Sequence, residues 1–319
     1  METPGVSNET LYDLLVVGAG CAGLAASIYA KRFNMDVLVV GREFGGLIAT
    51  THVVENYPGF PSISGAGLVE EFRKHVDSLS VPVLEDEVTK LELREEGSRR
   101  WFVASTAWSG TFKARTVLLA TGTVRRKLGV PGEEEFAGRG VSYCATCDGP
   151  LFKGKVLAVV GGSDSAAKEA LYLASLAKKV YIFYRRAEIR AEPINKDRVY
   201  ANSKIEVVPN TNVLEIVGDE VVTGVRLDTR DGIFPLDGVF IEIGADPANS
   251  LVAGLGVELN EKGEVVIDDK SATNMAGLFA AGDVANASYK QAITGVAEGV
   301  RAAFTAYELV SAQNASEGE

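Results

Sequence analysis

Leu11–Val17 reads LYDLLVV, Gly18–Gly23 reads GAGCAG, Leu24–Phe33 reads LAASIYAKRF, and Asp36–Val40 reads DVLVV. An apolar run of strand length, a glycine-rich turn, a helix-forming segment and a second apolar run spell a β-turn-α-β unit. The turn matches G-x-G-x-x-G. Gly18 serves the tight turn, Gly20 lets the backbone approach a pyrophosphate, and Gly23 lets helix and strand pack closely. Free N–H groups and the dipole at the helix start favour an anion there. Cys21 and Ala22 lie inside this fingerprint, and Cys21 reads as a small packing residue with no redox part. The stretch predicts a dinucleotide-binding α/β fold.

The acid that an NAD site of this kind places at the end of the second strand is missing, because Gly41 stands there. Gly45-Gly46 and then Glu55-Asn56-Tyr57-Pro58-Gly59 follow. Glycines at that place suggest backbone pressed against a larger cofactor.

A second unit of the same kind begins at Lys155–Val160, KVLAVV. Gly161-Gly162-Ser163-Asp164-Ser165-Ala166 forms its turn, AKEALYLASLA its helix, and Lys179–Tyr184, KVYIFY, its second strand. Ser163 replaces the middle glycine, so a side chain faces the place where phosphate should come close. Arg185, Arg186 and Arg190 stand at the end of the second strand, with no acid to repel a 2′-phosphate. They favour NADPH over NADH; the plainer reading is a solvated basic turn. Two dinucleotide folds in one chain point to a flavin and its reductant.

Between the units lies Ser142–Pro150, SYCATCDGP. The other cysteine is Cys21 and the histidines are His52 and His75, too few for a structural zinc site, which usually takes four Cys or His ligands. The pair Cys144 and Cys147 therefore reads as a redox dithiol, and no metal is expected. Thiolate is the nucleophile in disulfide exchange, and a helix start lowers a cysteine pKa. His52 precedes the ENYPG loop and His75 reads as a helix-surface residue; neither is expected to carry chemistry.

A chain of 319 residues suggests about two domains. A net charge of −11 argues against nucleic acid and against anionic lipid as partners. No uncharged apolar run reaches about 18 residues, and the first residues lack a basic segment before an apolar one, so neither a membrane span nor a signal peptide is expected. The reading is cytoplasmic. The charge-rich Glu85–Arg100 reads as a solvated hairpin or strand edge, and the terminal SAQNASEGE as frayed.

Taken together, these motifs resemble the low-molecular-weight, prokaryotic-type thioredoxin reductases, FAD-dependent members of the pyridine nucleotide-disulfide oxidoreductases. The resemblance runs from about Tyr12 to about Leu309. It rests on GAGCAG, VENYPGFP at Val54–Pro61, ATG at Ala120–Gly122, GRGVSYCATCDG at Gly138–Gly149, GGSDSA, YRRAEIRAE at Tyr184–Glu192, GLFAAGDV at Gly277–Val284 and YKQAITGVAEG at Tyr289–Gly299. It implies two Rossmann-like domains, the second inserted into the first. The FAD domain would span 1–123 and 251–319, and the NAD(P)H domain, 124–250, would carry the dithiol and swing between reactants.

FAD would lie against Gly18, Gly20, Cys21, Ala22, Gly23, Gly45, Gly46, Asn56, Thr121 and Gly122, and against Gly282, Asp283, Lys290, Gln291 and Ala292. NADPH would lie against Gly161 to Ala166, with the arginines around its 2′-phosphate. Electrons would pass from NADPH through FAD to the Cys144–Cys147 disulfide and then to thioredoxin or a thioredoxin-like protein. Cys147 would be the sulfur near the flavin, Cys144 the one that attacks the partner, and Asp148 the general acid and base, unless it is only a turn cap. A homodimer is implied.

Lys290 for Arg, Tyr184 for His, Ser163 for Gly and one extra residue in Gly244–Asn249 depart from the family pattern. The departures leave open a donor other than NADPH, such as ferredoxin, flavodoxin or a deazaflavin. A small-molecule dithiol oxidase and a plain FAD-binding module also stay open at this point.

Overall fold

The computed structural model describes residues 5–97 and 99–317. The chain opens with β1 (Leu11–Val17), α1 (Cys21–Arg32) and β2 (Val37–Val40). After α2 (Gly65–Ser78) come β3 (Val83–Leu84), β4 (Val88–Glu96), β5 (Arg99–Thr106), β6 (Thr111–Leu119) and β7 (Thr123–Arg125). Next come β8 (Val141–Ser142), α3 (Ala145–Asp148), β9 (Val156–Val160), α4 (Asp164–Leu176), β10 (Lys179–Tyr184), α5 (Pro193–Ala201) and β11 (Ile205–Pro209). A meander of β12 (Val213–Gly218), β13 (Val222–Leu227) and β14 (Arg230–Pro235) leads to β15 (Gly238–Ile241) and β16 (Ala245–Pro247). The chain closes with β17 (Leu278–Ala280) and α6 (Ala292–Glu317).

The chain divides into a first unit, Met1–Val124 with Pro247–Glu319, and a second, Arg125–Asp246. In the first, the sheet runs β3-β2-β1-β6-β5-β4, with β17 also on β6. β1 pairs in parallel with β2 and β6, while β4 and β5 add an antiparallel hairpin. The LYDLLVV run is apolar on both faces because both faces are covered. Leu14 and Val16 join α1 and α6 in one core; Leu15 and Val17 join Phe102 and Phe112 in the other. Glu85–Arg100 thus falls largely on the outer strand of the sheet and its turn, where the charges meet solvent.

The second unit has a five-stranded parallel sheet, β11-β10-β9-β15-β8. Its α4 presents Ala166, Ala167, Ala170 and Ala174 to Leu157, Val159 and Phe240. Small residues let the helix lie close to the strands. The opposite face, with Ala158, Val160 and Val239, packs on the meander.

α3 ends at Asp148, and Gly149–Phe152 follows as a 3₁₀ turn with Pro150 near its start. One local expectation is corrected: the terminal segment is helical to Glu317, since Ser311–Glu317 holds no glycine or proline to stop α6; Gly318 and Glu319 lie outside the described residues.

Candidate functional site

The first unit forms a backbone cradle at the end of β1. Gly18 has φ +112°, and a Cβ there would stand 2.2 Å from the Ala120 carbonyl oxygen, so no other residue fits. Gly20 is the N-cap of α1 and no side chain caps the first-turn N–H groups. Gly20 bridges to Gly45, and the Gly45 N–H donates to the Ala19 carbonyl at 2.7 Å. The Gly45-Gly46 loop is therefore seated on the fingerprint. Gly41 is excluded from carrying an acid by space, since a Cβ there would lie 2.5 Å from Ala19 N.

The return of the chain completes this cradle. The Ala281 N–H donates to Leu119 O, which sets Gly282 and Asp283 beside the strand ends. Burial raises the pKa of Asp283, with Lys290 pulling it back. Burial also raises Glu298, whose Oε2 accepts the Gly282 N–H at 2.8 Å. Gln291 Oε1 accepts from Asn56 Nδ2 at 3.1 Å, tying the ENYPG loop to the start of α6 at Ala292. Lys290 donates to Asp283 O and pairs with Glu264 at 2.6 Å. Burial, chiefly, pushes the Cys21 thiol up to about 11, so it stays protonated and carries no thiolate chemistry.

These residues suit a flavin dinucleotide. Bare amides at a helix start bind phosphate, and a buried carboxyl can accept a hydroxyl. Thr121 does not turn its hydroxyl toward the cradle; it donates to Ala248 O at 2.7 Å, beside Gly122. The acid Glu298 was not singled out from the sequence. Its place in the second turn of the helix that follows Lys290-Gln291 was the available signal.

The second unit repeats the turn with a difference. Ser163 is the N-cap of α4, and its hydroxyl accepts the Ala166 N–H at 3.4 Å. The Gly161 backbone approaches Glu242 as Gly18 approaches Ala120: a Cβ on Gly161 would stand 2.1 Å from Glu242 O. Gly162 lies against the Tyr184 ring. The Asp164 side chain is engaged within the fold. Its carboxylate accepts Glu192 N–H at 3.0 Å and Asn195 Nδ2 at 2.9 Å and pairs with Lys168, so it braces the loop that carries Arg190. Ser165 is exposed on the first turn.

Arg185, Arg186 and Arg190 are all exposed at the end of β10. Arg190 is oriented: its Nε donates to the Tyr184 hydroxyl at 3.0 Å and its N–H to Gly162 O at 2.6 Å. The set suits a phosphate on a ribose, with Tyr184 as a residue the sequence did not single out for that task.

Cys144 and Cys147 form a disulfide with Cα atoms 5.4 Å apart. Cys144 is the N-cap of α3, and its Sγ accepts the Cys147 N–H at 3.2 Å. Cys147 is exposed and Cys144 half-buried. Asp148 Oδ2 accepts from Ser142 Oγ at 2.7 Å, and the same oxygen of Ser142 accepts the Cys144 N–H at 3.0 Å. Ser142 thus links the acid to the cysteine turn. His52 and His75 belong to the first unit and are exposed.

Two dinucleotide units, one of them carrying a CxxC disulfide braced beside an acid, define a nucleotide-dependent disulfide oxidoreductase. Residues 12–299 match the model for the family described as pyridine nucleotide-disulphide oxidoreductase. The chain is 41% identical, over 95% of its own length and 95% of the other's, to a thioredoxin reductase of Listeria monocytogenes. The structure of Lactococcus lactis thioredoxin reductase matches with a TM-score of 0.89 and 36% identity, over 94% of this chain and 99% of that one. A ferredoxin-flavin thioredoxin reductase from Clostridium acetobutylicum matches with a TM-score of 0.52 and 35% identity, over 94% of this chain and 98% of that one. The chain belongs to the pyridine nucleotide-disulphide oxidoreductases, as one of their thioredoxin reductases.

Proposed function

We propose that this chain is an NADPH-dependent flavoprotein that reduces the disulfide of thioredoxin or a thioredoxin-like protein through Cys144 and Cys147. The observation that carries the reading is the Cys144–Cys147 disulfide at the head of α3, with Asp148 held by Ser142, in a chain with two dinucleotide units. When bound, FAD supplies the two-electron chemistry that links a nicotinamide hydride to a disulfide.

The chain's own residues do the rest. The bare start of α1, Gly45-Gly46 and Asp283 bind and orient the flavin; Arg185, Arg186 and Arg190 bind the 2′-phosphate. In the reduced pair, the Cys147 N–H and the first turn of α3 favour a thiolate at Cys144, which makes Cys144 the sulfur that attacks the partner. Asp148, its second oxygen free of the Ser142 bond, holds or returns the proton of the leaving thiol.

Anaerobic mixing of the FAD-loaded protein with NADPH, and separately NADH, tests the donor. Rapid bleaching of the oxidised-flavin band by NADPH, followed by thioredoxin reduction, is expected. Bleaching by NADH alone would assign the arginines to the surface. A second reading takes electrons from another donor, and the Ser163 side chain at the α4 start favours it. Thioredoxin reduction from a low-potential donor, with no bleaching by either nucleotide, would put that reading first.

The reading includes a cytoplasmic homodimer. The first unit offers an aromatic face for the second copy: Phe33 stacks on Tyr307 at 5.0 Å and meets Phe304 at 5.9 Å, and Phe304 is 47% exposed. Light scattering on the protein and on Phe304→Glu checks the dimer; an unchanged dimer in the variant would exclude this face.

A further inference from the structure

Glu169 and Glu242 take no part in the chemistry above, yet their carboxyl groups meet inside the second unit. Glu169 stands on the face of α4 toward the redox turn, and its Oε1 accepts the Ala145 N–H, on the first residue of α3, at 3.4 Å. Its Oε2 is buried and receives no N–H or O–H from a neighbour. Glu242 follows β15 directly; its side chain is 10% exposed and forms an ion pair with Arg125.

Two buried carboxylates that meet, only one of them paired with a guanidinium, do not both ionise at neutral pH, because like charges in a dry site repel. A proton held between the two acids would supply the hydrogen bond that Oε2 lacks. Burial first, and then the charge of Glu242, push Glu169 up to about 8. Burial raises Glu242 too, while Arg125 pulls it down. The nearby charges are otherwise engaged. Lys168, the residue before Glu169 on α4, pairs with Asp164 at 2.8 Å, and Asp148 on the redox turn is bound by Ser142.

We propose that Glu169 and Glu242 share one proton, and that this proton limits the pair to a single negative charge beside the redox turn while Glu169 braces Ala145. Both are positioning residues for reduction of the Cys144–Cys147 disulfide, so the inference rests on the reading of that disulfide as the reacting one. The S–S bond breaks as it takes two electrons from the reduced flavin. One sulfur becomes a thiolate and the other takes a proton from water. The shared proton stays where it is. Its loss at higher pH adds a second negative charge near the nascent thiolate and disfavours it.

The test uses the FAD-loaded protein with its disulfide reduced by dithiothreitol, so it needs neither NADPH nor thioredoxin, and a failure of the donor reading cannot mimic a failure here. The rate of alkylation by iodoacetamide is followed from pH 6 to about 10. In the wild type the thiolate titration is broadened, because the pair ionises within the same range. Glu169→Gln and Glu242→Gln keep a single charge throughout and give one simple inflection, with alkylation near pH 9 about three- to tenfold faster than in the wild type. Coincident curves for all three proteins would overturn the proposal. The wild type alone gives a second check: the infrared carbonyl band of a buried protonated carboxyl should be present at pH 7 and fade near pH 8, and its absence at pH 7 would also overturn the proposal.

Discussion

The two dinucleotide turns have the same backbone plan and differ at one place. At the start of α1 the N-cap is Gly20 and no side chain satisfies the first N–H groups. At the start of α4 the N-cap is Ser163, whose hydroxyl already holds Ala166 N–H. Both turns need a glycine at the first position, Gly18 and Gly161, because carbonyls stand where a Cβ would go. The backbone path is therefore common to both units, while the anion site is stripped bare in one and partly self-satisfied in the other. The second unit carries Arg185, Arg186 and Arg190 after its second strand, whereas the first has Gly41, with no room for a side chain, and then Arg42, which pairs with Glu87 at 3.7 Å.

The largest expected effect separates the units by chemistry. Cys147→Ser should lose thioredoxin turnover by at least about a thousandfold, while flavin content and flavin reduction by NADPH persist. Turnover near the wild-type rate would remove the disulfide from the reaction.

Strain at the shared glycine should break the units one at a time. Gly18→Ala forces a side chain onto Ala120 O and should cost about 3 kcal/mol or more and empty the flavin site. Gly161→Ala should leave the flavin bound but abolish its reduction by NADPH. Flavin absorbance of the purified proteins reads both, and loss of flavin from the second variant would contradict the division of labour.

The units should also answer pH in opposite directions. Burial alone would raise Asp86 in the first unit, but donors from Ser109, Glu87 and Thr106 outweigh it and hold it at about 2. A folded pKa below the unfolded one gives stability that is present above about pH 4 and lost as pH falls toward 2. Glu169 is the reverse: its folded pKa is raised, so the native state binds the extra proton and stability falls as pH rises from about 4 to about 8. Hydrogen exchange resolved by unit should show the first unit weakening in acid and the second toward neutral pH. Glu242→Gln should flatten the second slope.

Smaller effects sharpen the anion sites. Tyr184→Phe frees Arg190 and should raise the KM for NADPH about three- to tenfold while leaving NADH unchanged. An equal loss with both nucleotides would point to the Gly162 contact instead. Ser163→Gly makes the second helix start resemble the first; it should lower the KM for NADPH about twofold at a stability cost of a few tenths of a kcal/mol. A rise in KM would mean that the serine hydroxyl itself serves the nucleotide.

Much of this was legible in the chain. LYDLLVV-GAGCAG and KVLAVV-GGSDSA announced their strands and helix starts because period, glycine position and flanking apolar runs are local properties. β1 and β10 occur over the residues expected of them. The direction of the Asp164 side chain was not legible, because a residue in a phosphate-binding turn can face either way; its carboxylate turned to Glu192 and Asn195. Thr121 likewise gave its hydroxyl to Ala248. The roles of Ser142, Tyr184 and Glu298 were not legible because each matters through one long-range or turn-specific contact.

By itself the sequence determined the α/β class, the two nucleotide units, the redox pair and the family, since all rest on residue types at short fixed spacings. Only the tertiary structure decided which polar groups are spent on the fold and which are left for ligands. It set Glu169, from the helix after one turn, against Glu242, from the end of a strand more than seventy residues later. No local pattern encodes such a meeting, because it arises where β15 inserts beside β9 and carries the side chain that follows it into the space under α4.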